Sequence, residues 1–216
     1  MKSKKQLLES WKVYPILDSG FFPDRKKLLK KFYELIESPV DVIQLRFEDF
    51  SDHALYRAAE AMVPLARKKK IPLLINDRPE IALSLGASGV HLGKGDVSAR
   101  SARRLMGPDA IIGRTVRSFS DLAAINRRNA DYVAIGPVFR TPIKPALRAR
   151  SKSEVIELCR KAKLPVVGIG GINAGNVREV VKLGINTVAF VRYACGGNNA
   201  KKRMDALRKA MEMNVK

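Results

Sequence analysis

Eight short apolar runs, each closed by polar residues or glycine, alternate along this chain with stretches of helical periodicity. The runs are Val13 to Asp18, Val40 to Leu45, Pro72 to Asn76, Val90 to Leu92, Ala110 to Gly113, Asp131 to Gly136, Pro165 to Ile169 and Thr187 to Val191. Between the first two, Asp24 is placed to cap a helix reaching about Glu37, with Leu28, Leu29, Phe32, Leu35 and Ile36 on one face. Ser51 and Asp52 open the next helix, in which Pro64 predicts a kink or a nearby break. A short helix over Pro79 to Leu85 ends at Gly86, and one capped by Ser98 stops at Gly107-Pro108. Ser118 to Arg128, a segment opened by Ser151 or Ser153, one led by Asn173 or Asn176, and Asn199 to Met213 complete the series.

The runs are continuously apolar rather than alternating. That pattern marks strands covered on both faces, as in a parallel sheet. Eight strand–helix units in 216 residues predict a single (β/α)8 TIM barrel, an α/β fold, spanning 1–216. Residues 1–12 read as a basic extension or an extra helix. The competing doubly wound sheet calls for a glycine fingerprint after the first strand, and Asp18-Ser19-Gly20 does not supply one.

The charge is lopsided, with 41 Lys and Arg against 21 Asp and Glu, net +20. The basic clusters recur once per predicted helix and so ring the molecule instead of forming one stripe. No aromatic RNA-binding run or zinc-finger spacing accompanies them. The expectation is a solvated basic surface that attracts small anionic substrates, without a specific nucleic-acid partner. No window approaches the ~20 apolar residues of a membrane span. The N-terminus lacks the apolar core of a signal peptide, and Cys159 and Cys195 have no CxxC spacing. A reduced, cytoplasmic setting with no membrane partner follows. The oligomeric state is open, a homodimer included.

In such barrels chemistry sits on the loops after the strands. Those positions hold Arg46, Asn76, Asp77, Asp96, Arg114, Thr115, Arg117, Thr141, Lys144, Gly170, Gly171 and Arg192. Two carboxylates among many cations suit a Mg²⁺-diphosphate: the acids hold the metal and the cations neutralise phosphate oxygens. Gly170-Gly171 leaves backbone N–H groups free for a second phosphate. Each feature also has a purely structural reading. Asp77-Arg78 can be a helix-start pair, Asp96 a turn residue, Arg46 a surface partner of Glu48 or Asp49, and the two glycines a tight turn. His91, inside an apolar run, reads as a satisfied core histidine and His53 as a surface one. Ser and Cys residues lack a histidine partner for nucleophilic catalysis.

Taken in order, Val42 to Arg46, Ile75 to Arg78, Gly89 to Gly93 with Asp96, Ile111 to Gly113, Ala130 to Val133, Gly136 to Phe139, Thr141 with Lys144-Pro145, and Val166 to Ile172 resemble the family of thiamine-phosphate synthase and thiazole tautomerase. The resemblance runs from Tyr14 to about Ala194. It implies a transferase that joins an aminopyrimidine-methyl diphosphate to a thiazole phosphate, with Mg²⁺ as cofactor. It further implies Asp77 and Asp96 as metal ligands. Arg46, Asn76, Thr115 and Lys144 would hold the diphosphate, with Arg46, Thr115 and Lys144 acting in catalysis. Gln44 would touch the pyrimidine, and Thr141 and Gly171 the thiazole phosphate. Three positions depart from the family pattern: Glu48 stands where a Lys is expected, Arg117 where a histidine is, and Arg192-Tyr193 where a Ser-Ala pair is. The absent histidine argues against the tautomerase. Arg117 and Arg192 either replace the lost Lys charge or reshape the pocket. A family paralogue that binds a phosphorylated ligand without synthase chemistry is the alternative.

Overall fold

The computed structural model describes residues 3–48 and 50–213. Its centre is a closed barrel of parallel strands, β1 (Val13–Asp18), β2 (Ile43–Arg46), β3 (Leu73–Asn76), β4 (Gly89–Leu92), β5 (Ile111–Val116), β6 (Tyr132–Ile135), β7 (Val166–Ile169) and β8 (Thr187–Phe190), paired in sequence order with β8 back on β1. Helices α1 (Lys4–Glu9), α2 (Arg25–Ile36), α3 (Asp52–Lys68), α4 (Pro79–Ser84), α5 (Ala99–Met106), α6 (Phe119–Ala123), α7 (Lys152–Lys161), α8 (Val177–Lys182), α9 (Arg192–Cys195) and α10 (Ala200–Glu212), with a short 3-10 turn at Ser19–Phe21, complete the described elements. The (β/α)8 expectation holds.

The apolar runs are strands because both faces are covered. Val13, Leu17, Ile43, Leu45, Ile75, Val90, Ile112, Val133 and Val188 are fully buried. The outer faces of the strands meet the apolar stripes of the helices. Phe32 and Leu35 of α2 and Ala58, Ala59 and Met62 of α3 have no exposure, and each of the large ones, Phe32, Leu35 and Met62, contributes up to about 1.5–3 kcal/mol.

The N-terminal segment includes a helix, α1. A capping box between Ser3 and Gln6 starts it. Lys4 ties it to the barrel through Asp131 at 2.9 Å and the Pro108 carbonyl at 2.6 Å. Just beyond, Trp11 plugs the floor of the barrel. Its ring sits edge-on to Tyr14 and Tyr132, each at 5.9 Å, and its carbonyl accepts the Thr187 hydroxyl at 2.8 Å.

Three local expectations change. Pro64 lies inside an uninterrupted α3. The proline and the Glu60 carbonyl it cannot bond are both on exposed residues, where water serves as donor. The helix expected to reach Arg128 stops at Ala123. There the Asn126 side chain accepts the Arg128 N–H at 3.0 Å, and its carbonyl takes the N–H groups of Asn129 and Ala130. β5 continues three residues past Gly113, so Arg114 and Thr115 are strand residues on opposite faces.

Candidate active site

Parallel strands bring all eight C-terminal ends to one mouth, and a cavity of about 590 Å³ opens there. Gln44, Arg46, Asn76, Asp77, Thr115, Arg117, Thr141, Lys144, Gly170, Gly171 and Arg192 all line it. Asp96 stands just behind the wall. Arg114, expected on the rim, is turned away and braces the loop after β4, donating to the Gly93 carbonyl at 2.5 Å.

Asp77 and Asp96 meet at one backbone amide. The Gly93 N–H donates to Asp96 Oδ2 at 2.6 Å and more loosely to Asp77 Oδ1 at 3.4 Å. Asp77 adopts the left-handed backbone region, φ 63°, while its own N–H bonds the His91 carbonyl at 2.9 Å. Burial, then the hydrogen bond and charge of Asp96, push the Asp77 carboxyl up to about 7, and Glu48 adds to the rise. Burial also acts on Asp96, but Asp77, the Gly93 N–H and the charges of Arg114 and Arg78 outweigh it and hold that carboxyl below its usual range. The pair therefore ionises in sequence, Asp96 first.

This donor set fits one kind of ion. Two hard oxygen donors, close enough to repel, stand at the edge of a cavity rich in cations, Asp77 lining it and Asp96 just behind. No group of three or more His, Cys, Asp or Glu suited to a metal occurs among the described residues. Mg²⁺ suits such a pair, because it takes one or two carboxylates and fills its remaining positions with water and phosphate oxygens.

Arg46 has ion-pair partners on both sides, Asp18 Oδ2 and Glu48 Oε1. The surface pairing foreseen for Arg46 is thus partly realised with Glu48, and Asp49 lies outside the described residues. Across the cavity, Arg117, Arg140, Lys144 and Arg192 have no carboxylate within ion-pair distance among the described residues.

Gly170 and Gly171 have φ of 105° and 65°, and a Cβ on either would run into the loop after β6. It would approach Pro137 Cβ to 2.5 Å at Gly170 and the Arg140 carbonyl to 2.7 Å at Gly171. The glycines let that loop fold against β7, which brings Thr141 and Lys144 over the cavity.

Comparison with known proteins matches residues 13–194 to the family model described as thiamine monophosphate synthase. The chain belongs to that family. It is 37% identical over 201 residues to a thiamine-phosphate synthase of Azorhizobium caulinodans, covering 93% of this chain and 94% of the relative. It is 35% identical over 181 residues to one of Clostridium acetobutylicum, covering 84% and 85%. Among solved structures, the thiamine phosphate pyrophosphorylase of Pyrococcus furiosus superposes with a TM-score of 0.84 at 29% identity, covering 97% of this chain and all of that one. A 3-hexulose-6-phosphate synthase at 16% identity and a TM-score of 0.66 shares the fold.

Within this family member, reading the rim residue by residue missed Tyr14, Asp18, Tyr132 and Arg140. Tyr14 and Tyr132 lie at the starts of β1 and β6, where an apolar run gives no sign of a polar partner. Asp18 closes β1, and its link to Arg46 becomes apparent only from the register, which pairs the two. His91 is a satisfied core histidine, as expected. Its Nδ1 meets the Tyr132 hydroxyl at 2.9 Å and its Nε2 the Thr115 hydroxyl at 3.0 Å. It also reaches the cavity wall. His53 is exposed.

Proposed function

We propose that this protein is a thiamine-phosphate synthase, a transferase that joins an aminopyrimidine-methyl diphosphate to a thiazole phosphate. One observation carries the reading: in a member of this family, Asp77, backed by Asp96, lines a cavity together with four cations that have no ion-pair partner among the described residues. That layout matches a ligand set with two phosphorylated ends.

In the reaction, the bond between the pyrimidine methylene and the diphosphate oxygen breaks, and its electron pair leaves with the diphosphate. The thiazole nitrogen then supplies the pair that forms the new C–N bond. A Mg²⁺ held by Asp77 and Asp96 would supply positive charge against the departing diphosphate. Lys144, Arg117 and Arg46 surround the region where that charge collects, with Asn76 and Thr115 adding hydrogen bonds. Arg46 contributes by turning from Glu48 toward the phosphate while Asp18 keeps hold of it. Thr141, the backbone at Gly170-Gly171 and Arg192 suit the thiazole phosphate. Gln44 lies at the bottom of the cavity, where the pyrimidine ring would rest. No protein nucleophile is needed. Burial holds the His91 imidazole down at about 4, with the charge of Arg114 adding to the effect, so it is neutral under physiological conditions. The two free cysteines accord with a cytoplasmic location.

The pairing of Arg46 with Glu48 favours a second reading, a paralogue that binds a phosphorylated ligand without turnover. A coupled assay with both substrates, with and without Mg²⁺, separates the two. The synthase reading expects Mg²⁺-dependent release of diphosphate. Thiazole phosphate binding by calorimetry without any release would establish the paralogue instead.

A further inference from the structure

Beneath the cavity runs a buried chain of hydrogen bonds that crosses five strands. Gln44 Nε2 donates to the Tyr14 hydroxyl at 2.6 Å, and the Tyr14 and Tyr132 hydroxyls lie 2.9 Å apart. Tyr132 continues to His91 Nδ1, and His91 Nε2 to the Thr115 hydroxyl. Tyr14, Gln44 and Tyr132 are at most 2% exposed and His91 is 8% exposed.

Tyr132 is the middle of this chain, and the barrel is shaped to hold it. The register sets Asn76 beside His91, His91 beside Gly113, and Gly113 beside Tyr132. A Cβ on Gly113 would come within 2.0 Å of Tyr132 Cζ, so only glycine there admits the ring. His91 stacks on the ring at 5.6 Å, while Trp11 and Tyr14 meet it edge-on. The hydroxyl consequently has one place to be.

The Gln44 amide, oriented with Nε2 toward Tyr14, gives the chain a direction. The two tyrosine hydroxyls and the His91 ring are buried and bond to one another and to the neutral side chains of Gln44 and Thr115, so each phenol and the neutral imidazole has a single proton to give. Tyr14 accepts from Gln44 and must donate to Tyr132. Tyr132 must donate to Nδ1 of His91. His91 is therefore the Nε2–H tautomer and donates to Thr115 Oγ1. The Thr115 proton is left for the cavity, and so is Gln44 Oε1, which has no protein partner among the described residues.

We infer that Tyr132 is a positioning residue that fixes this proton order, so that the cavity floor offers an acceptor at Gln44 and a donor at Thr115. A heteroaromatic ring with an amino donor at one edge and an anionic substituent at the other matches that pattern. Identifying this ring with the pyrimidine diphosphate rests on the synthase reading, while the proton order does not.

The test is spectroscopic and kinetic. The chain has two histidines, and the other, His53, is exposed, so two-bond ¹H–¹⁵N spectra resolve His91. In the wild type His91 should be the Nε2–H tautomer with Nδ1 at the shift of a hydrogen-bonded acceptor. In Tyr132→Phe that shift should move to the unbonded value and kcat should fall about ten-fold, in line with the loss of one buried hydrogen bond. Thr115→Val should lower kcat to a similar degree, and the double variant no further. Tyr14→Phe should do less, because Tyr132 still donates to His91. This variant and the wild-type spectrum decide the matter if Tyr132→Phe does not fold. An Nδ1–H tautomer in the wild type, or losses that multiply in the double variant, would overturn the inference. A wild-type protein with the expected tautomer but no turnover would overturn the synthase reading and leave the proton order standing.

Discussion

From β1 to β4 the mouth of the barrel carries Asp18, Arg46, Glu48, Asp77 and Asp96. From β5 to β8 it carries Arg117, Arg140, Lys144 and Arg192. The first half is cross-linked. Arg46 has a side chain only 12% exposed and is held by two acids, and the aspartate pair shares the Gly93 amide. The second half is open, with all four cations exposed. The difference teaches what each half lacks. The acidic half is already positioned but holds excess negative charge, visible in the raised carboxyl of Asp77. The basic half has charge but little fixed geometry. Under the proposed function a metal would satisfy the first and phosphate oxygens the second, so a metal-bound phosphorylated ligand would complete both.

The contrast can be broken most severely on the acidic side. Asp77→Ala should cut kcat/KM on the order of 10³-fold in a steady-state assay, since under the proposed function it removes one of the two carboxylates that would hold an ion worth several kcal/mol to the leaving group. On the basic side, Lys144→Ala should cost about 10²-fold, in the range of a single lost charge-stabilising donor. A near-neutral Lys144 variant would mean that the open half is only solvated surface.

Between the halves stands Glu48. Glu48→Gln should release Arg46 and lower the KM for the pyrimidine diphosphate about five-fold, equivalent to roughly 1 kcal/mol for a half-exposed ion pair. A raised KM would instead make Glu48 a contributor to binding. The smallest effect is on stability. An Asp77 carboxyl that titrates at about 7 in the folded chain and at 3.8 unfolded binds its proton more tightly when folded. Stability therefore falls as pH rises from about 4 to 7, and the deficit persists above that window. Discounted for solvent screening, Asp77→Asn should recover about 1 kcal/mol at pH 8 without Mg²⁺, or about 2–4 °C in Tm. At pH 4 the variant should gain nothing.

The barrel was legible because periodicity survives in one dimension: every run from Val13 to Val191 became a strand. The rim was legible for the same reason, since strand ends can be read from where the apolar residues stop. What the chain hid were pairings across strands. Asp18 with Arg46, Tyr132 over Gly113, and His91 between two hydroxyls depend on register, which no single segment encodes. Arg114 misled because β5 runs longer than its apolar run, so that alternation turned Arg114 outward and Thr115 inward. Glu48 stood out as an acid beside an anionic ligand, and the fold gives it Arg46 as a partner.

Calorimetry of inorganic diphosphate binding, with and without Mg²⁺, measures the joining of the two halves directly. The account predicts that Mg²⁺ tightens diphosphate binding by at least about ten-fold in the wild type and leaves it unchanged in Asp77→Asn. Equal affinity with and without the metal in the wild type would contradict it.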